Sequence, residues 1–448
     1  MPLHCSLGFT GVSMKKYSII LLTMLILFGT GIVSAANEIK IGALIDNSGE
    51  SASYAEGIEA AIDLAVSDLN DSYELAGMDT RVIVIKAYVD GTKEGAIKGT
   101  EDLLADGGQI IVGPYSSEEV AGILPLLTKK EILSINPSTS VELSKQGDPV
   151  IRLAPSDARL YQALIAYNNA AADKIPMKGV ILARDDVYGG TLAETMKDKS
   201  FISLSVENLQ ENGVEEQNVT ETLLYAPNTK DFTKTLNELS SLVTPLIDEY
   251  GENNVIILVV SFDEIADILA QASEYPVLYK VRWQGTDSVA LNPAILSNAT
   301  AAGFAVDTGL TAHSFNIIQP KDTDYWRVYD AIKAANDGHQ PSIYEILPYD
   351  ETLMAAWIMQ SNPSTLEDML YIADSFGKLS YGATGWLKLN SRGDRQFGDY
   401  FFYQVQKGED ETYSWIPVSM YLDETNSLVP LKNTNNTFMQ HYSSGTVQ

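Results

Sequence analysis

The stretch Ile39–Asn70, IKIGALIDNSGESASYAEGIEAAIDLAVSDLN, places an apolar run, a polar loop and an amphipathic segment in immediate succession. Ile39–Ile45 has the length and aliphatic content of a strand that is buried on both faces. Beyond the loop, Ile58, Ile62 and Leu69 recur at the spacing of one helix face. The stretch therefore predicts the first strand-helix unit of a parallel sheet.

The same alternation continues along the chain and then begins a second time. Apolar runs predict strands at residues 81–88, 109–113, 132–135, 179–184, 254–260, 280–284, 302–306 and 399–406. Helical periodicity predicts helices at residues 93–106, 118–129, 190–199, 263–273 and 350–359. Strands and helices that alternate in this way are typical of parallel sheets with helices on both faces. Two successive blocks predict an α/β protein with two Rossmann-like lobes.

Composition excludes several classes of function. The 448 residues carry 59 acidic and 30 basic side chains, a net charge of −29. This balance counts against binding to nucleic acid or anionic lipid, since both need surfaces rich in Lys and Arg. It favours a soluble monomer. Cys5 is the sole cysteine and the four histidines are scattered, so neither a disulfide framework nor a metal site is predicted.

The N-terminal 36 residues have the pattern of a secretory signal. Lys15 and Lys16 precede an apolar stretch that runs to Phe28, and the segment ends in small residues at Ala35-Ala36. We expect Met14 to be the natural start and residues 1–13 to be an upstream extension. The alternative is an uncleaved membrane anchor. Under both interpretations the remaining chain is exported, to the periplasm or the cell surface.

Polar loops follow five of the predicted strands, at the ends where parallel sheets bind ligands. They are Asp46–Tyr54, Tyr115–Ser117, Pro137–Ser140, Arg184–Gly189 and Gly285–Ser288. The Ser117 hydroxyl stands beside the free N–H groups of the helix that opens at Glu118, an arrangement that suits a carboxylate. Asp287 is suited to pair with an ammonium group. The alternative is that Ser117 caps its helix, that Asp287 is a turn residue and that the loop tyrosines are ordinary packing.

Two further local patterns concern helix ends and enzymatic motifs. Ser53-Tyr54-Ala55-Glu56 predicts a capping box at the start of the first helix. No GxGxxG follows the first strand, and neither a phosphate loop of the GxxxxGK type nor a GxSxG elbow occurs. We therefore predict no catalytic residue and no cofactor.

Taken together, these segments resemble the Leu/Ile/Val-binding-protein family, the type I solute-binding proteins of ABC importers. The resemblance extends over about residues 38–420 and is carried by the order and spacing of several stretches. They are the opening stretch, IIVGPYSSEEV, INPSTSVEL, GVILARDDVYGGTLAETM, VSFDEIADILAQA and RWQGTDSV. It implies the type I periplasmic binding protein fold, with three crossings between the lobes near residues 155, 311 and 398. The first lobe then comprises residues 37–155 and 312–398, the second lobe residues 156–311 and 399–430, and a polar tail residues 431–448.

The resemblance also implies a ligand site. Its residues in the first lobe are Tyr54, Tyr115, Ser116, Ser117, Ser138, Thr139 and Ser140, and in the second lobe Tyr188, Phe262 and Asp287. By this resemblance, the serine and threonine turns match those that bind the carboxylate of an amino acid. Asp287 matches the acid that accepts the α-ammonium, and the aromatic residues match positions that line the ligand pocket. Tyr115 is bulkier than the aliphatic residue of the branched-chain binders, which counts against Leu, Ile and Val as ligands. Residues 207–252 exceed the usual length and are expected to form a surface insertion.

The predicted function is that of an extracytoplasmic solute-binding protein that delivers an amino acid, or a similar small carboxylate or amide, to a membrane permease and ATPase. Hinge closure of two lobes would enclose the ligand. Two alternatives stay open. A sensory ectodomain would use the same cleft, and an extracytoplasmic enzyme would need an acid/base pair that the sequence does not reveal.

Overall fold

The computed structural model describes residues 37–49, 51–171, 178–199, 219–317, 323–336 and 338–431. The predicted signal segment, residues 1–36, lies outside the described residues, as do residues 432–448 of the predicted tail. Two large β-sheets organise the described chain, and helices cover both faces of each.

The first lobe is built on five parallel strands. These are β1 (Asn37–Asp46), β2 (Thr80–Val89), β3 (Ile110–Val112), β4 (Ser134–Asn136) and β5 (Val150–Arg152), in the spatial order β2-β1-β3-β4-β5. The connecting helices are α1 (Ala55–Leu75), α2 (Lys93–Ala105) and α3 (Ser117–Lys130). Along β1, Ile41 and Ala43 belong to the apolar cluster that includes α1, whereas Leu44 belongs to the one that includes α2 and α3. Successive side chains of a strand point to opposite faces, so both faces of this sheet are buried.

The predicted capping box at the start of α1 is wrong. The helix begins at Ala55 with Tyr54 in the cap position, and no side chain caps it. Ser53 lies in a preceding 3₁₀ turn, Ala52–Tyr54, and bonds to Asp263 of the second lobe instead. The hydroxyl that the local pattern assigns to the helix is thus used in a contact between lobes.

The second lobe contains five parallel strands in its first part. These are β6 (Lys178–Arg184), β7 (Val219–Tyr225), β8 (Val255–Val260), β9 (Arg282–Gly285) and β10 (Thr311–Asn316). The accompanying helices are α4 (Asp157–Ala171), α5 (Val187–Lys199), α6 (Thr233–Tyr250), α7 (Ile265–Ala272), α8 (Pro293–Ser297) and α9 (Ala299–Thr308). The side chains of β8 are entirely buried. Alternate residues of the strand belong to two apolar clusters, one shared with α4 and α5 and the other shared with α6, α7 and α9.

The chain then returns to the first lobe. It adds α10 (Asp324–Ala335), α11 (Ile343–Gln360), α12 (Leu366–Leu379) and a short hairpin of β11 (Tyr381–Gly382) and β12 (Gly385–Trp386). Helix α11 packs against α1 and against the first sheet. Three antiparallel strands complete the second sheet: β13 (Asp399–Lys407), β14 (Tyr413–Leu422) and β15 (Ser427–Pro430). Its order is β15-β14-β13-β10-β9-β8-β6-β7.

Three predictions differ from this architecture. Residues 302–306, predicted as a strand, lie in α9, because an apolar run of this length fits either element and Asn298 caps a helix there. The return of the chain to the first lobe, predicted near residue 311, is placed too early. Residues 311–316 form β10, which still belongs to the second sheet because it pairs with β9 and β13. The described part of the predicted insertion at 207–252 contributes the edge strand β7 and α6, so it is part of the second lobe's core.

Candidate functional site

The site lies where the carboxyl ends of the parallel strands of both lobes face each other. The loops that follow β3 and β4 meet those that follow β8 and β9, and a cavity lined by buried residues separates them. Eight of the ten predicted site residues line this cavity: Tyr115, Ser116, Ser117, Ser138, Thr139, Tyr188, Phe262 and Asp287. Pro137, Ser288 and Tyr344 complete its lining.

The wall on the first lobe is built from hydroxyl groups. Ser117 Oγ accepts the backbone N–H of Ser140 at 3.3 Å, so its own hydrogen remains available for a ligand. Ser138 Oγ is buried and has no hydrogen-bond partner among the described residues. A buried hydroxyl without a partner costs free energy unless something supplies one. These two groups are therefore the donors that the wall presents to a ligand.

Ser116 and Ser140 have structural roles at this wall. Ser116 caps α3 in a reciprocal capping box: its Oγ accepts Glu119 N–H at 3.2 Å and donates to Glu119 Oε2 at 2.9 Å. The capping role that the alternative interpretation gave to Ser117 thus falls to Ser116. Ser140 lies outside the cavity lining and caps the 3₁₀ turn Val141–Leu143. Both serines position the ligand-facing groups between them.

Burial and the nearby Asp46 raise the pKa of Glu119 to about 8. Its carboxyl is therefore mostly neutral at pH 7. A neutral Glu119 leaves the positive end of the α3 dipole available to an anion, because it adds no negative charge to the first turn.

This pKa leads to a prediction about stability. The unfolded carboxyl releases its proton near its usual pKa of 4.5 and the folded one near 8, so unfolding releases a proton between these values. The Glu119 contribution to stability is therefore fully present below pH 4.5 and is lost as pH rises to about 8. Glu119→Gln keeps a capping-box side chain and should remove this pH dependence, a difference of up to about 1.4 kcal/mol per pH unit.

Urea unfolding of wild type and Glu119→Gln between pH 5 and 8 provides the measurement. The exposed Glu101→Gln, on α2, is the matched control and should follow the wild-type curve. Parallel pH curves for wild type and Glu119→Gln would show that Glu119 does not hold its proton in the folded protein.

The acidic pole of the cavity is Asp287, which follows β9. Its Oδ1 accepts the Tyr188 hydroxyl at 2.6 Å and the Ser288 N–H at 3.1 Å, and its Oδ2 accepts the Tyr344 hydroxyl at 2.5 Å. Burial raises the pKa of Asp287, and the hydrogen bonds from the two tyrosines lower it in part. The carboxylate is held rigidly in place, and its remaining lone pairs are available to a donor on a ligand.

A second buried acid, Asp157, adjoins this pole and was not predicted from the sequence. Its backbone N–H donates to the carbonyl of Thr139 at 2.9 Å, which ties the first residue of α4 to the cavity wall. Neither of its carboxylate oxygens makes a hydrogen bond of 3.5 Å or less with a described residue, although the Thr139 side chain lies near enough to lower the pKa of Asp157 in part. Burial, and then the charge of Asp287, raise the pKa of Asp157 well above its usual value. A cation between these two acids would stabilise the ionised form of both.

Four aromatic rings line the cavity, and a fifth ring stands behind one of them. Tyr115 stacks on Tyr54 with ring centres 5.5 Å apart and meets Phe262 and Tyr344 edge-on at 6.2 and 6.1 Å. Tyr188 stacks on Phe262 at 5.2 Å. Tyr54 lies outside the cavity lining and supports Tyr115 from behind, with its hydroxyl 3.3 Å from the Ser288 carbonyl. These rings belong to both lobes, so the wall forms only when the lobes meet.

Tyr344 is the other important residue that sequence reasoning missed. It stands in the first turn of α11, which belongs to the first lobe, and reaches Asp287 of the second. The sequence offers one signal for it, since Ser342 and Glu345 form a capping box that marks the start of a helix. That pattern locates the helix end but does not indicate that this end faces the cleft.

Contacts outside the cavity also join the two lobes. Ser53 donates to Asp263 from its hydroxyl, at 2.6 Å, and from its backbone N–H, at 3.0 Å. Asn292 donates to the same carboxylate at 3.0 Å. On the opposite side of the cleft, Glu118 of α3 accepts the Val187 N–H at 2.9 Å. The structure therefore represents the closed arrangement of the lobes.

The arrangement suits recognition of a molecule with an anionic and a cationic end. Hydroxyl groups and a helix N-terminus line the first-lobe side of the cavity, and Asp287 lines the second-lobe side. Within the described ranges, no group of three or more His, Cys, Asp or Glu side chains is placed to hold a metal ion. Across those same ranges, no helix is both long enough and apolar enough to span a bilayer.

Several known proteins are similar to this chain over most of its length. An uncharacterized protein of Methanocaldococcus jannaschii is 25% identical over 397 residues, covering 83% of this chain and 88% of that protein. The branched-chain amino acid transporter substrate-binding protein LivJ of Streptococcus pneumoniae, solved with isoleucine, has a TM-score of 0.64 at 19% identity, covering 85% and 100% of the two chains. An ABC-transporter solute-binding protein of R. palustris, solved with benzoate, has a TM-score of 0.65 at 12% identity, covering 88% and 98%.

The structural similarities confirm the predicted two-lobed fold. The sequence profile of the family described as periplasmic binding protein matches residues 38–360, well over half of the chain. Members of this family are extracytoplasmic substrate-binding proteins and not enzymes. With the two-lobed fold and the interlobe cavity in place, the profile match identifies the chain as a member of the type I periplasmic binding protein family.

Proposed function

We propose that the protein binds an amino acid, or a similar small carboxylate or amide, in the interlobe cavity and delivers it to an ABC importer. The observation that carries the proposal is the opposition of two kinds of group across one buried cavity. Ser117 and Ser138 offer hydroxyl donors on the first lobe, and Asp287 offers a fixed carboxylate on the second. Such a pair of poles matches the carboxylate and the ammonium of a zwitterion.

Two further features support the role in import. The N-terminal segment has the pattern of a secretory signal, which fits a protein that collects its ligand outside the cytoplasm. The relatives with known structures include transporter substrate-binding proteins with isoleucine and with benzoate, so this fold holds small carboxylates of different chemistry. The partners in the proposal are a membrane permease and its ATPase, which receive the ligand when the lobes open.

Isothermal titration calorimetry of the mature protein tests the proposal directly. The panel should contain zwitterionic amino acids, small carboxylates without an amine, and small amides. We expect at least one class to bind with a 1:1 stoichiometry. If none of them binds at millimolar concentration, the proposed function is wrong.

Closure of the lobes should depend on Ser53. Ser53→Ala removes the 2.6 Å bond to Asp263 and keeps the backbone bond. A hydrogen bond to a carboxylate contributes about 1.5 kcal/mol, so ligand should dissociate roughly tenfold faster from the variant. The association rate should change little, because this contact forms only after the lobes meet.

Stopped-flow dissociation of bound ligand measures this effect. Ser297→Ala is the matched control, since Ser297 is an exposed serine of the second lobe that bonds only within its own helix. Equal dissociation rates for wild type and Ser53→Ala would exclude a role of this contact in holding the closed state.

A further inference from the structure

The cavity between the lobes is small. About 280 Å³ of space free of atoms separates the loops, part of it open to solvent, but only about 20 Å³ is accessible to the centre of a water molecule. By that second measure a single water needs about 10–15 Å³. The closed cleft as it stands therefore has room for one or two water-sized groups, so any ligand must widen it, and a ligand with a small side chain must widen it least.

The size of the ligand is limited by aromatic rings that other residues hold in place from several sides. Tyr115 has Tyr54 stacked behind it and two further rings against its edges, and it is 9% exposed. Tyr344 is fixed by its hydrogen bond to Asp287. A large ligand side chain would have to displace one of these rings. Forcing extra volume into a packed interior is unfavourable, since the neighbours must leave their preferred rotamers.

The polar groups, by contrast, match the part that all α-amino acids share. Ser117 and Ser138 offer hydroxyl donors for a carboxylate, and Asp287 offers an acceptor for an ammonium. We infer that, on the proposed function, the ligand is an amino acid whose side chain is no larger than a methyl group, glycine or alanine. Tyr115 is the residue that excludes branched and aromatic side chains.

Calorimetry with glycine, alanine, valine, leucine and phenylalanine on the wild-type protein tests this inference. We expect glycine or alanine to bind most tightly, and valine and leucine to bind roughly 10- to 100-fold more weakly. If leucine binds as tightly as alanine, the size limit is wrong and the proposed function stands. If only a carboxylate or an amide of the wider panel binds, the amino-acid assignment is wrong, and if nothing binds, the proposed function itself fails.

Tyr115→Val removes the ring and should tighten leucine binding roughly tenfold relative to wild type while weakening glycine binding. Tyr371→Val is the matched control, because Tyr371 is an exposed tyrosine of the same lobe, at 72% exposure. A thermal melt checks that Tyr115→Val is folded. A folded variant with unchanged preference would overturn the assignment of Tyr115, and the wild-type series decides the size limit even if this variant does not fold.

Discussion

Asp287→Ala should weaken ligand binding by at least about 2 kcal/mol, roughly 30-fold in the dissociation constant. The ligand's ammonium would lose a buried carboxylate, and the hydroxyls of Tyr188 and Tyr344 would lose their shared acceptor. Truncating one partner of a buried charge pair is costly chiefly because the other partner stays buried and unpaired. Calorimetry with the ligand found in the panel gives the change in affinity.

One companion variant separates the charge of Asp287 from the shape of its side chain, and a second serves as the control. Asp287→Asn keeps the size of the side chain and removes its charge, so it should lose most of the affinity if an ammonium is bound. Asp307→Ala changes an exposed aspartate on α9 of the same lobe and should bind as wild type does. If Asp287→Ala binds with unchanged affinity, Asp287 is not part of the ligand site.

Asp394→Ala should lower the free energy of unfolding by about 3–5 kcal/mol. Asp394 forms a fully buried ion pair with Arg152 of β5 and also accepts the Ser144 hydroxyl at 2.5 Å. Arg152 in turn donates to the Ser140 carbonyl at 3.3 Å, next to the ligand-facing turn. Removing the carboxylate leaves the guanidinium buried without its counter-charge.

Urea unfolding with a fluorescence or circular-dichroism signal measures this loss. The exposed Asp307→Ala should shift the midpoint little and serves as the control here as well. The double variant Arg152→Met with Asp394→Leu should be more stable than Asp394→Ala, because it leaves no unpaired charge behind. A wild-type midpoint for Asp394→Ala would show that this ion pair contributes nothing measurable to stability.

Much of the fold could be predicted from local patterns. The runs that form β1, β2, β6 and β8 are apolar because both faces of the parallel sheets are covered, and such runs are visible in any one sequence. The prediction failed at residues 302–306, where a short apolar run is compatible with a strand and with the helix α9. β14 and β15 were not predicted, since their half-buried, mixed composition lacks a strong period.

The site could be predicted only in part. The polar loops after β3, β4 and β9 follow from the rule that parallel sheets bind ligands at their carboxyl ends. Asp157 and Tyr344 escaped prediction because each stands in the first turn of a helix, where a polar residue is ordinary. No local pattern indicates that the start of α11 faces the cavity or that Asp157 interacts with Asp287.

The amino-acid sequence by itself determined the two-lobed α/β class, the expectation of export and most of the loops that carry the site, because each depends on residues close together in the chain. The tertiary structure decided which hydroxyls are free and how much room the ligand has. Ser116 is used as a cap while Ser138 is left without a partner, and Tyr344 meets Asp287 across 57 residues of chain. These facts arise from packing between lobes, and contacts between distant segments leave no periodic trace in the sequence.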